Sequence, residues 1–446
     1  MNKRLYPRIK TSFPLRINSN VFGKVIDISE TGFGIAFEKP LLLSNAVADI
    51  ELSPNESIKT EFKIIWSKHL IQKNGFRYGA CFIRLKERDL DYLRGMCIRE
   101  TIKPIIDEIT CSDDKQTVSD FWTIHCKKYM SQLDSLVNDI QNNKIRLTDA
   151  CNKAGRITDD IVEKGHNLEN LLSNKKLIKK SKECFRALLG PWAYRGKILK
   201  RAYEKPRGYP GDYFTIELVY NNKAISENIG YCSDMYFLNN EYAAAVRNRK
   251  DKMKDMLEKY LLKSRFNPTK ILNIACGSCR EIVEMLSTGF APKNKTIFTL
   301  VDHDQEALDF SKKVLSPYAS KLLEHRYLNH NVLNYIKDSQ DYKKILGDYS
   351  LIYSIGLADY LPDRLLKLLI SFWFDILQPN GTLILAHKDI IKYDPVAIDW
   401  WADWTFYPRH EEKLLNIIKE GISIDFDVQT ERDKSGIILF VIITKR

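Results

Sequence analysis

The chain has 446 residues, 44% of them hydrophobic and 28% charged, which is typical of a globular protein with two or three domains and excludes a disordered or fibrous chain. No early segment resembles a secretion signal and no run is apolar enough to span a bilayer, so we expect a cytoplasmic protein without a transmembrane segment. The formal net charge of +12 favours an anionic partner, such as a nucleotide, a nucleic acid, a phospholipid or an acidic protein.

Residues 1–98 are predicted to form an all-β domain. Segments such as "VFGKVIDIS", "GFGIAF" and "FRYGACFIRL" are short and rich in β-branched and aromatic residues, and turn sequences such as "NSN" and "KNG" separate them. This spacing is typical of a β-sandwich or a β-barrel. The stretch "KERDLDYLRGMCIRE" then predicts an amphipathic helix that closes the domain.

Two short motifs flank the first of these strands. The sequence "RLYPR" places Arg4 and Arg8 in an R-x-x-x-R pattern, and "DISETG" places Asp27, Ser29 and Gly32 at a turn between strands. Arginine side chains bind phosphates in a bidentate manner and stack on flat bases. An acidic side chain and a hydroxyl in a turn offer an acceptor for a guanine edge and donors for phosphate. Together the motifs predict a site for a guanine nucleotide.

The two motifs, in this order, resemble those of the bacterial PilZ domain, which binds cyclic di-GMP. The resemblance extends to about residue 95 and includes Trp66 and Gly79 at similar places. It implies that the two arginines contact phosphate and guanine, and that the "DISETG" turn holds the other side of the ligand. The alternative is a PilZ-like domain that has lost its ligand and acts as a docking module.

Residues 99–262 are predicted to be helical. The stretch "VSDFWTIHCKKYMSQLDSLVNDIQ" carries apolar residues at steps of three and four, and the region from Leu147 to Leu199 is similar. The segment "EKPRGYPGDYF" interrupts this pattern with prolines and glycines.

Residues 263–446 alternate between strand and helix patterns. "TKILNIA", "KTIFTLVDHD", "YSLIYSIG" and "GTLILAHK" read as strands with helical segments between them, and the last 25 residues read as an antiparallel pair. Alternation of this kind predicts a mostly parallel sheet covered by helices on both faces. The whole chain is therefore expected to be a multidomain protein with a β-barrel, a helical middle region and a Rossmann-like α/β domain.

The stretch "ILNIACGSCREI" joins the first of these strands to a helix. Its small residues Ala275, Gly277 and Cys279 occupy the places of a G-x-G-x-G turn, in which the backbone approaches a nucleotide. Asp302 ends the next strand 25 residues after Gly277 (302 − 277), where an acid can accept the hydroxyls of a ribose. Asn331, after the third strand, could recognise an adenine edge.

The same loop contains the chain's C-x-x-C sequence, Cys276 and Cys279. The nine cysteines are scattered along the chain, so we expect reduced thiols rather than a disulfide framework. A mixed metal site with Asp302, His303 and Asp304 is conceivable. We expect no metal, because structural zinc normally takes four identifiable ligands.

The α/β region resembles the class I S-adenosylmethionine-dependent methyltransferases. From about residue 120 to the end, "EKPRGYPGDYFTIELVY", "ACGSCREI", "IYSIGLADYL" and "DWTFYPRHEEKLL" resemble bacterial proteins of 3-hydroxypalmitic acid methyl ester biosynthesis. Asn273 departs from the pattern, because an acid often stands there. The resemblance implies that S-adenosylmethionine binds at Asn273, Ala275, Cys276, Gly277, Arg280, Glu281, Asp302, His303, Asn331, Val332, Ser354 and Gly356.

The family resemblance also implies O-methylation of a small or lipid carboxylate, such as a 3-hydroxy fatty acid. A carboxylate is already nucleophilic, so it needs a cationic anchor, alignment and an apolar channel rather than a strong base. A hydroxyl or amine acceptor would need a base, for which His387 or Asp359 could serve. The catalytic candidates are Arg207, Tyr209, Asp212, Asp359, Tyr360, His387 and Arg409, with Tyr407 beside them.

Structural roles are the alternatives for several of these residues. Tyr209 and Asp212 could only shape a Pro–Gly turn, and Arg409 could pair at the surface with Glu411 or Glu412. His387 could be structural, and the three tryptophans at positions 400, 401 and 404 are expected in the core.

The leading functional hypothesis is a methyltransferase that responds to cyclic di-GMP, with S-adenosylmethionine as cofactor. The alternative is a cyclic di-GMP receptor that acts through protein contacts, with a catalytically silent methyltransferase fold. Nucleic-acid methylation is disfavoured, because "SIGLADYL" lacks the N/D-P-P-Y/F/W motif of many amino-methylating enzymes. The sequence leaves open the methyl acceptor, the direction of regulation, and whether the chain forms a homodimer or binds a protein partner.

Overall fold

The computed structural model describes residues 6–54, 56–70, 75–172 and 174–446. The chain forms two compact units. The first comprises the residues up to Gly196 together with Glu227–Cys232, and the second comprises Lys197–Ser226 together with Ser233–Arg446. The region predicted to be one helical segment is therefore divided between the two units.

The first unit begins with a closed antiparallel barrel, as the strand pattern predicts. Its core consists of the inward-facing side chains of alternate strand positions, such as Ile17, Val25, Ile35 and Phe62. The strand order is β1-β2-β3-β6-β5-β4. The strands are β1 (Ile9–Ile17), β2 (Val21–Ser29), β3 (Gly32–Phe37), β4 (Asn45–Ser53), β5 (Glu56–Leu70) and β6 (Gly75–Arg84).

Helices complete the first unit. Helix α1 (Glu87–Ile106) closes the barrel, because its Leu93 is fully buried in the barrel core. A π-helical turn, Phe121–Cys126, continues the helix that precedes it into the helix that follows, where the sequence predicts one continuous α-helix. The helices are α2 (Ser112–Asp120), α3 (Lys127–Gln141), α4 (Leu147–Leu171) and α5 (Lys175–Ala193).

Two cysteines of the first unit are joined by a disulfide. Cys151 of α4 and Cys232 have their Cα atoms 4.5 Å apart. The prediction that all nine thiols are reduced is wrong for this pair. The two residues are 81 positions apart, so their proximity arises from helix packing that cysteine spacing does not reveal.

The second unit is built on a seven-stranded sheet with the order β12-β13-β11-β10-β7-β8-β9. Five neighbouring strands are parallel, and β13 and β12 add an antiparallel edge, so the predicted sheet is confirmed. The strands are β7 (Thr269–Ile274), β8 (Thr296–Asp302), β9 (Leu323–Asn329), β10 (Tyr349–Ser354), β11 (Leu377–Lys388), β12 (Phe426–Arg432) and β13 (Ile438–Lys445).

Helices bury both faces of this sheet. Successive residues of the central strands alternate between two apolar clusters, with Leu272 and Ile352 in one and Ile271 and Leu351 in the other. The helices are α6 (Lys197–Glu204), α7 (Tyr213–Asn221), α8 (Asn228–Asn239, whose first five residues belong to the first unit), α9 (Glu241–Lys263), α10 (Arg280–Ser287), α11 (Gln305–Leu315), α12 (Asn334–Lys337), α13 (Ser339–Leu346), α14 (Asp363–Asp375), α15 (Val396–Ala402) and α16 (Glu411–Gly421). Within the described ranges, no helix is both long and apolar enough to cross a membrane.

Candidate functional sites

A row of four residues crosses four neighbouring strands of the barrel. Asp27 of β2 is paired with Gly34 of β3, Gly34 with Gly79 of β6, and Gly79 with Trp66 of β5. A Cβ at Gly34 would lie 2.8 Å from the Asp27 carboxylate, and one at Gly79 would lie 2.1 Å from Trp66 Nε1. The two glycines therefore leave the space that the aspartate and the 40% exposed tryptophan occupy.

The predicted nucleotide motifs meet at one end of this row. The Arg8 guanidinium forms an ion pair with Asp27, and both side chains are partly exposed. The Ser29 hydroxyl donates to the Gly32 carbonyl at 3.1 Å, which holds the turn between β2 and β3. Arg4 lies outside the described residues. The structure thus brings Arg8 and Asp27 together, and contact of these residues with cyclic di-GMP stays a prediction.

The same motif is tied to the helices of the first unit through Glu30, which is 6% exposed. Arg94 of α1 donates to the Glu30 carboxylate through Nε at 3.0 Å and Nη2 at 2.8 Å, and it also forms an ion pair with Asp134 of α3. Trp192 of α5 donates to Asp134 at 2.9 Å. The ring of Tyr6 packs against the Trp192 ring, with the centroids 5.8 Å apart. Burial raises the pKa of Glu30 even though Arg94 opposes the rise.

In the second unit, the loop between β7 and α10 has an alternating left-handed backbone. Ala275, Gly277 and Cys279 have φ angles of 54°, 53° and 51°. L-residues with a side chain pay for this conformation, whereas glycine adopts it freely. The backbone of a G-x-G-x-G loop is therefore present although two of its glycines are replaced.

Asp302 holds this loop from the end of β8. Its Oδ2 accepts the Gly277 amide at 2.9 Å, and its Oδ1 accepts the Asp304 amide at 3.0 Å. His303 Nδ1 lies 3.4 Å from Oδ1, and this hydrogen bond raises the pKa of His303. The carboxylate thus stands at the carboxyl end of the parallel strands, where nucleotides bind in such sheets.

Asn273 lies where an acid is often found, and it contacts a carboxylate through its side chain. Its amide donates to Glu281 Oε1 at 3.0 Å, and the Tyr353 hydroxyl donates to the same oxygen at 2.8 Å. Burial raises the pKa of Glu281. Ser354, at the end of β10, donates to the Ile274 carbonyl at 2.9 Å and so joins the ends of two neighbouring strands.

The remaining predicted cofactor residues have different surroundings. Arg280 forms an ion pair with Glu217 of α7 and donates to Asn221 Oδ1 of the same helix at 2.9 Å. Its guanidinium therefore links the start of α10 to α7. Asn331 is exposed, and its Oδ1 accepts the Leu333 amide at 3.0 Å. Val332 is buried, Cys276 is buried with its backbone amide bonded to Val301, and Gly356 follows β10.

The "RGYPGDY" segment lies against the carboxyl ends of β8 and β10. Arg207 forms an ion pair with Asp304 at 2.9 Å and a second with Glu306. The Tyr209 ring lies 5.3 Å from that of His303, and burial raises the pKa of Tyr209. A Cβ at Gly211 would lie 2.6 Å from the Tyr360 hydroxyl, so the segment also touches the loop after β10.

Asp212 of this segment has a structural role. It is fully buried, its Oδ1 accepts the Thr215 amide at 2.7 Å as the N-cap of α7, and its Oδ2 accepts Arg201 at 2.6 Å. Both oxygens are thus occupied, which accounts for the buried charge.

Asp359, His387 and Lys388 form a buried cluster at the ends of β10 and β11. His387 Nδ1 lies 2.7 Å from Asp359 Oδ1, and Lys388 Nζ lies 2.9 Å from Oδ2. Burial alone would raise the pKa of Asp359, but the Lys388 ammonium and His387 hold it well below its usual range. Neither imidazole nitrogen of His387 makes a hydrogen bond of good geometry with a described residue, so Nδ1 meets Asp359 as a close ion-pair contact and Nε2 has no partner there.

Arg409 is 1% exposed and bonds to the loop after β10. It donates to Asp363 at 2.8 Å, to the Ala358 carbonyl at 3.0 Å and to the Leu361 carbonyl. It is therefore not the surface partner of Glu411 or Glu412 that the sequence allows. The three tryptophans at 400, 401 and 404 are buried, whereas Tyr407 is 46% exposed.

Sequence reasoning missed two buried cations near these residues, Lys388 and Arg249. Lys388 is 8% exposed and directly follows His387, which the sequence suggested as a candidate base. Arg249 of α9 is 6% exposed and stands in a row of buried residues spaced by four, between Ala245 and Met253. A charge on an otherwise apolar helical stripe is the signal that could have identified it.

Two family models match the chain. Residues 2–99 match the model described as "PilZ domain", and residues 209–317 match the model described as "Putative methyltransferase". No curated protein matches. The chain thus carries a PilZ domain and a domain of the methyltransferase fold.

Solved structures are similar at low identity. A possible exported protein from Bordetella parapertussis is 16% identical, covers 65% of this chain and 95% of its own, and has a TM-score of 0.41. Magnesium protoporphyrin IX methyltransferase from Synechocystis with bound SAH is 11% identical, covers 56% and 100%, and has a TM-score of 0.38. The Bacillus subtilis inhibitor of motility is 19% identical, covers 23% and 53%, and has a TM-score of 0.21.

Proposed function

We propose that the chain is an S-adenosylmethionine-dependent methyltransferase that responds to cyclic di-GMP and O-methylates a small or lipid carboxylate. The observation that carries the proposal is the β7–α10 loop. Its three left-handed residues present their backbone at the carboxyl edge of the parallel sheet, and the Asp302 carboxylate of the next strand holds its central amide.

The residues at this edge fit the cofactor. A Cβ at Gly277 would meet one atom within 4 Å, at 3.8 Å in Tyr213, so the loop surface is open there. Ala275 to Gly277 would hold the methionine portion, Asp302 the ribose, and Asn331 with Val332 the adenine. When bound, the cofactor supplies an electrophilic methyl group on a positively charged sulfur.

The chain's own residues then align the acceptor and exclude water. Tyr209 lies against His303 and Gly211 lies against Tyr360, so this segment covers the site. A carboxylate acceptor carries no proton to be removed, and its methylation depends on alignment and on the surrounding charge. The rings of Tyr360, Trp404 and Phe406, which contact one another, provide an apolar surface for the rest of the acceptor.

The Asp359–His387 pair favours a second acceptor class. An imidazole whose Nδ1 contacts a buried carboxylate, and whose Nε2 has no partner among the described residues, has the residue types of a general base. Such a base would serve a hydroxyl acceptor. His387→Ala separates the classes, because it should leave carboxylate methylation nearly unchanged and remove hydroxyl methylation.

The test is methyl transfer by the purified full chain. Labelled S-adenosylmethionine and cell extract are incubated with the protein, with and without cyclic di-GMP, and the labelled product is identified. Wild type should label a carboxylate, and Asp302→Ala should not, because it removes the proposed ribose acceptor and the loop anchor together.

Asp309→Ala on the exposed face of α11 is the matched control and should behave as wild type. Failure of wild type to bind S-adenosylmethionine would overturn the enzymatic proposal and favour the receptor that acts through protein contacts.

A further inference from the structure

On the basis of the proposed function, we propose that Arg249 binds the anionic head group of the methyl acceptor, which is an amphiphilic carboxylate. None of the arginines that the sequence singled out is available for this role. Arg207 is held by Asp304 and Glu306, and Arg409 by Asp363 and two carbonyls.

Arg249 is buried without an ion-pair partner among the described residues. Its side chain is 6% exposed, its Nε has no hydrogen-bond partner there, and the buried Glu281 carboxylate attracts it without forming an ion pair. Its hydrogen-bond partner is Tyr220. A buried guanidinium is rarely tolerated without a paired anion, so the arrangement is complete only when an anion is bound.

The guanidinium points to the edge of the sheet at which the cofactor residues lie. A Cβ at Gly356 would be 3.8 Å from Arg249 Nη2, and Gly356 lies in the loop that leads from β10 to Asp359 and Tyr360. The glycine leaves this approach open. Arg249 is thus placed next to the candidate catalytic residues by a regular helix, α9.

The buried carboxylates near Arg249 bond to other residues. Lys388 is a second buried cation, and its ammonium lies 2.9 Å from the Asp359 carboxylate. Burial lowers the pKa of Lys388, and the nearby Arg249 charge acts in the same direction. The next carboxylate, Glu281, accepts from Asn273 and Tyr353 instead. An anionic ligand would supply the ion-pair partner that Arg249 lacks among the described residues.

Aromatic rings continue from this charged point and indicate what the rest of the ligand is. Lys388 Nζ lies 3.7 Å from the centroid of Phe406, whose ring contacts those of Tyr360 at 5.2 Å and Tyr393 at 5.6 Å. Tyr242 lies 4.7 Å from Tyr393, which extends the surface. An anionic head with an apolar body suits such a surface better than a small hydrophilic acid.

The test measures binding of two probes to the full chain saturated with S-adenosylhomocysteine. Dodecanoate carries the carboxylate and dodecanol is the matched neutral probe, and isothermal titration gives both affinities. Wild type should bind dodecanoate more tightly than dodecanol. Arg249→Met should weaken dodecanoate roughly tenfold or more and leave dodecanol unchanged, because only the charged head loses its partner.

Arg249→Lys keeps the charge and should retain part of the dodecanoate affinity, which separates loss of the anchor from loss of folding. Lys259→Met removes an exposed charge from the same helix and should have no effect. Equal dodecanoate affinity in wild type and Arg249→Met, with S-adenosylhomocysteine bound normally, would overturn the inference alone. Absence of S-adenosylhomocysteine binding in wild type would overturn the proposed function and this inference with it.

Discussion

At the scale of residues, the β7–α10 loop keeps the left-handed backbone of a glycine-rich turn at Ala275, Gly277 and Cys279. The strand, the helix and Asp302 made the loop recognisable, although only one of three glycines is present. The structure shows why the replacement is tolerated, because Ala275 and Cys279 adopt the left-handed backbone themselves. Gly277 stands between them, where its amide bonds to Asp302 and its carbonyl accepts from Ser311 at 2.7 Å.

Gly277→Ala should lower cofactor affinity as well as stability. The left-handed backbone should cost the variant about 1 kcal/mol of unfolding free energy, and the new Cβ would stand on the proposed cofactor surface. Gly289→Ala is the matched control, because Gly289 has a φ of +85° with open space around it and lies after α10. Both variants should lose similar stability in urea unfolding, and only Gly277→Ala should bind S-adenosylhomocysteine weakly. Equal affinities of the two variants for S-adenosylhomocysteine would show that the loop is not part of the cofactor site.

Asp359→Asn should destabilise the protein in a pH-dependent manner. The wild-type Asp359 pKa lies below that of the unfolded chain, so the ionised carboxylate stabilises the fold above about pH 4 and this contribution is lost as pH falls through the folded pKa. In the variant, the Lys388 cation is buried without its partner, which should cost about 3–5 kcal/mol near neutral pH.

The cost should shrink towards about pH 9.5, because the Lys388 pKa is already lowered by burial and the lysine can lose its proton. Urea unfolding at about pH 6 and about pH 9.5 measures the difference. Asp359→Asn combined with Lys388→Met should recover part of the lost stability. A loss that is the same at both pH values would show that the variant acts by some means other than the unpaired lysine.

Side-chain partners were the least predictable feature at this scale. Tyr209 and Asp212 stand in one short segment, yet Tyr209 faces His303 and Asp212 caps a helix. Arg249 drew no attention because its neighbours in the sequence, Arg247 and Lys250, are also basic. What distinguishes it is burial, and burial is decided by which helix face meets the sheet.

At the scale of elements, the strands, the mostly parallel sheet and the helical character of the middle region followed from periodicity, whereas the division of the middle helices between two units did not. Alternating patterns in a barrel or a βα repeat are decided by neighbouring residues. The assignment of α1–α5 to one unit and α6, α7 and α9 to the other depends on long-range packing, which helical periodicity does not encode. The disulfide between Cys151 and Cys232 was missed for the same reason.

Arg94→Met should destabilise the first unit more than removal of an ordinary ion pair. Arg94 is 3% exposed and joins α1 to the barrel through Glu30 and to α3 through Asp134. Its removal leaves the Glu30 carboxylate buried and unpaired, which should cost about 3–5 kcal/mol of unfolding free energy.

Asp91→Asn is the control, because Asp91 joins the same two helices through an exposed pair with Lys127 at 2.7 Å. Exposed pairs of this kind contribute about 1 kcal/mol or less. Urea unfolding followed by tryptophan fluorescence measures both. Similar losses of unfolding free energy in the two variants would contradict the prediction that the buried Arg94 ion pairs contribute more to stability than an exposed pair.

At the scale of the whole molecule, the chain joins a PilZ domain to a domain with a methyltransferase fold. The net charge of +12 accords with the anionic ligands proposed for both, a cyclic dinucleotide in one unit and a carboxylate in the other. The "DISETG" motif contains both Asp27, which pairs with Arg8, and Glu30, which pairs with Arg94. Asp27, the partner of Arg8, is therefore only three residues from Glu30 and its buried link to the helices of that unit.

The last prediction concerns coupling between the two ligands. If cyclic di-GMP regulates the enzyme by changing its affinity for the cofactor, each ligand must change the affinity of the other by the same factor, because linkage is reciprocal. Titration of S-adenosylhomocysteine with and without cyclic di-GMP, and the reverse titration, should give equal ratios that differ from one by about fivefold or more. Arg8→Ala should bind S-adenosylhomocysteine normally and cyclic di-GMP weakly. Its affinity for S-adenosylhomocysteine should therefore be the same with and without cyclic di-GMP. A ratio of one in both titrations of wild type would mean that the two domains bind their ligands independently, and that cyclic di-GMP controls something other than cofactor affinity.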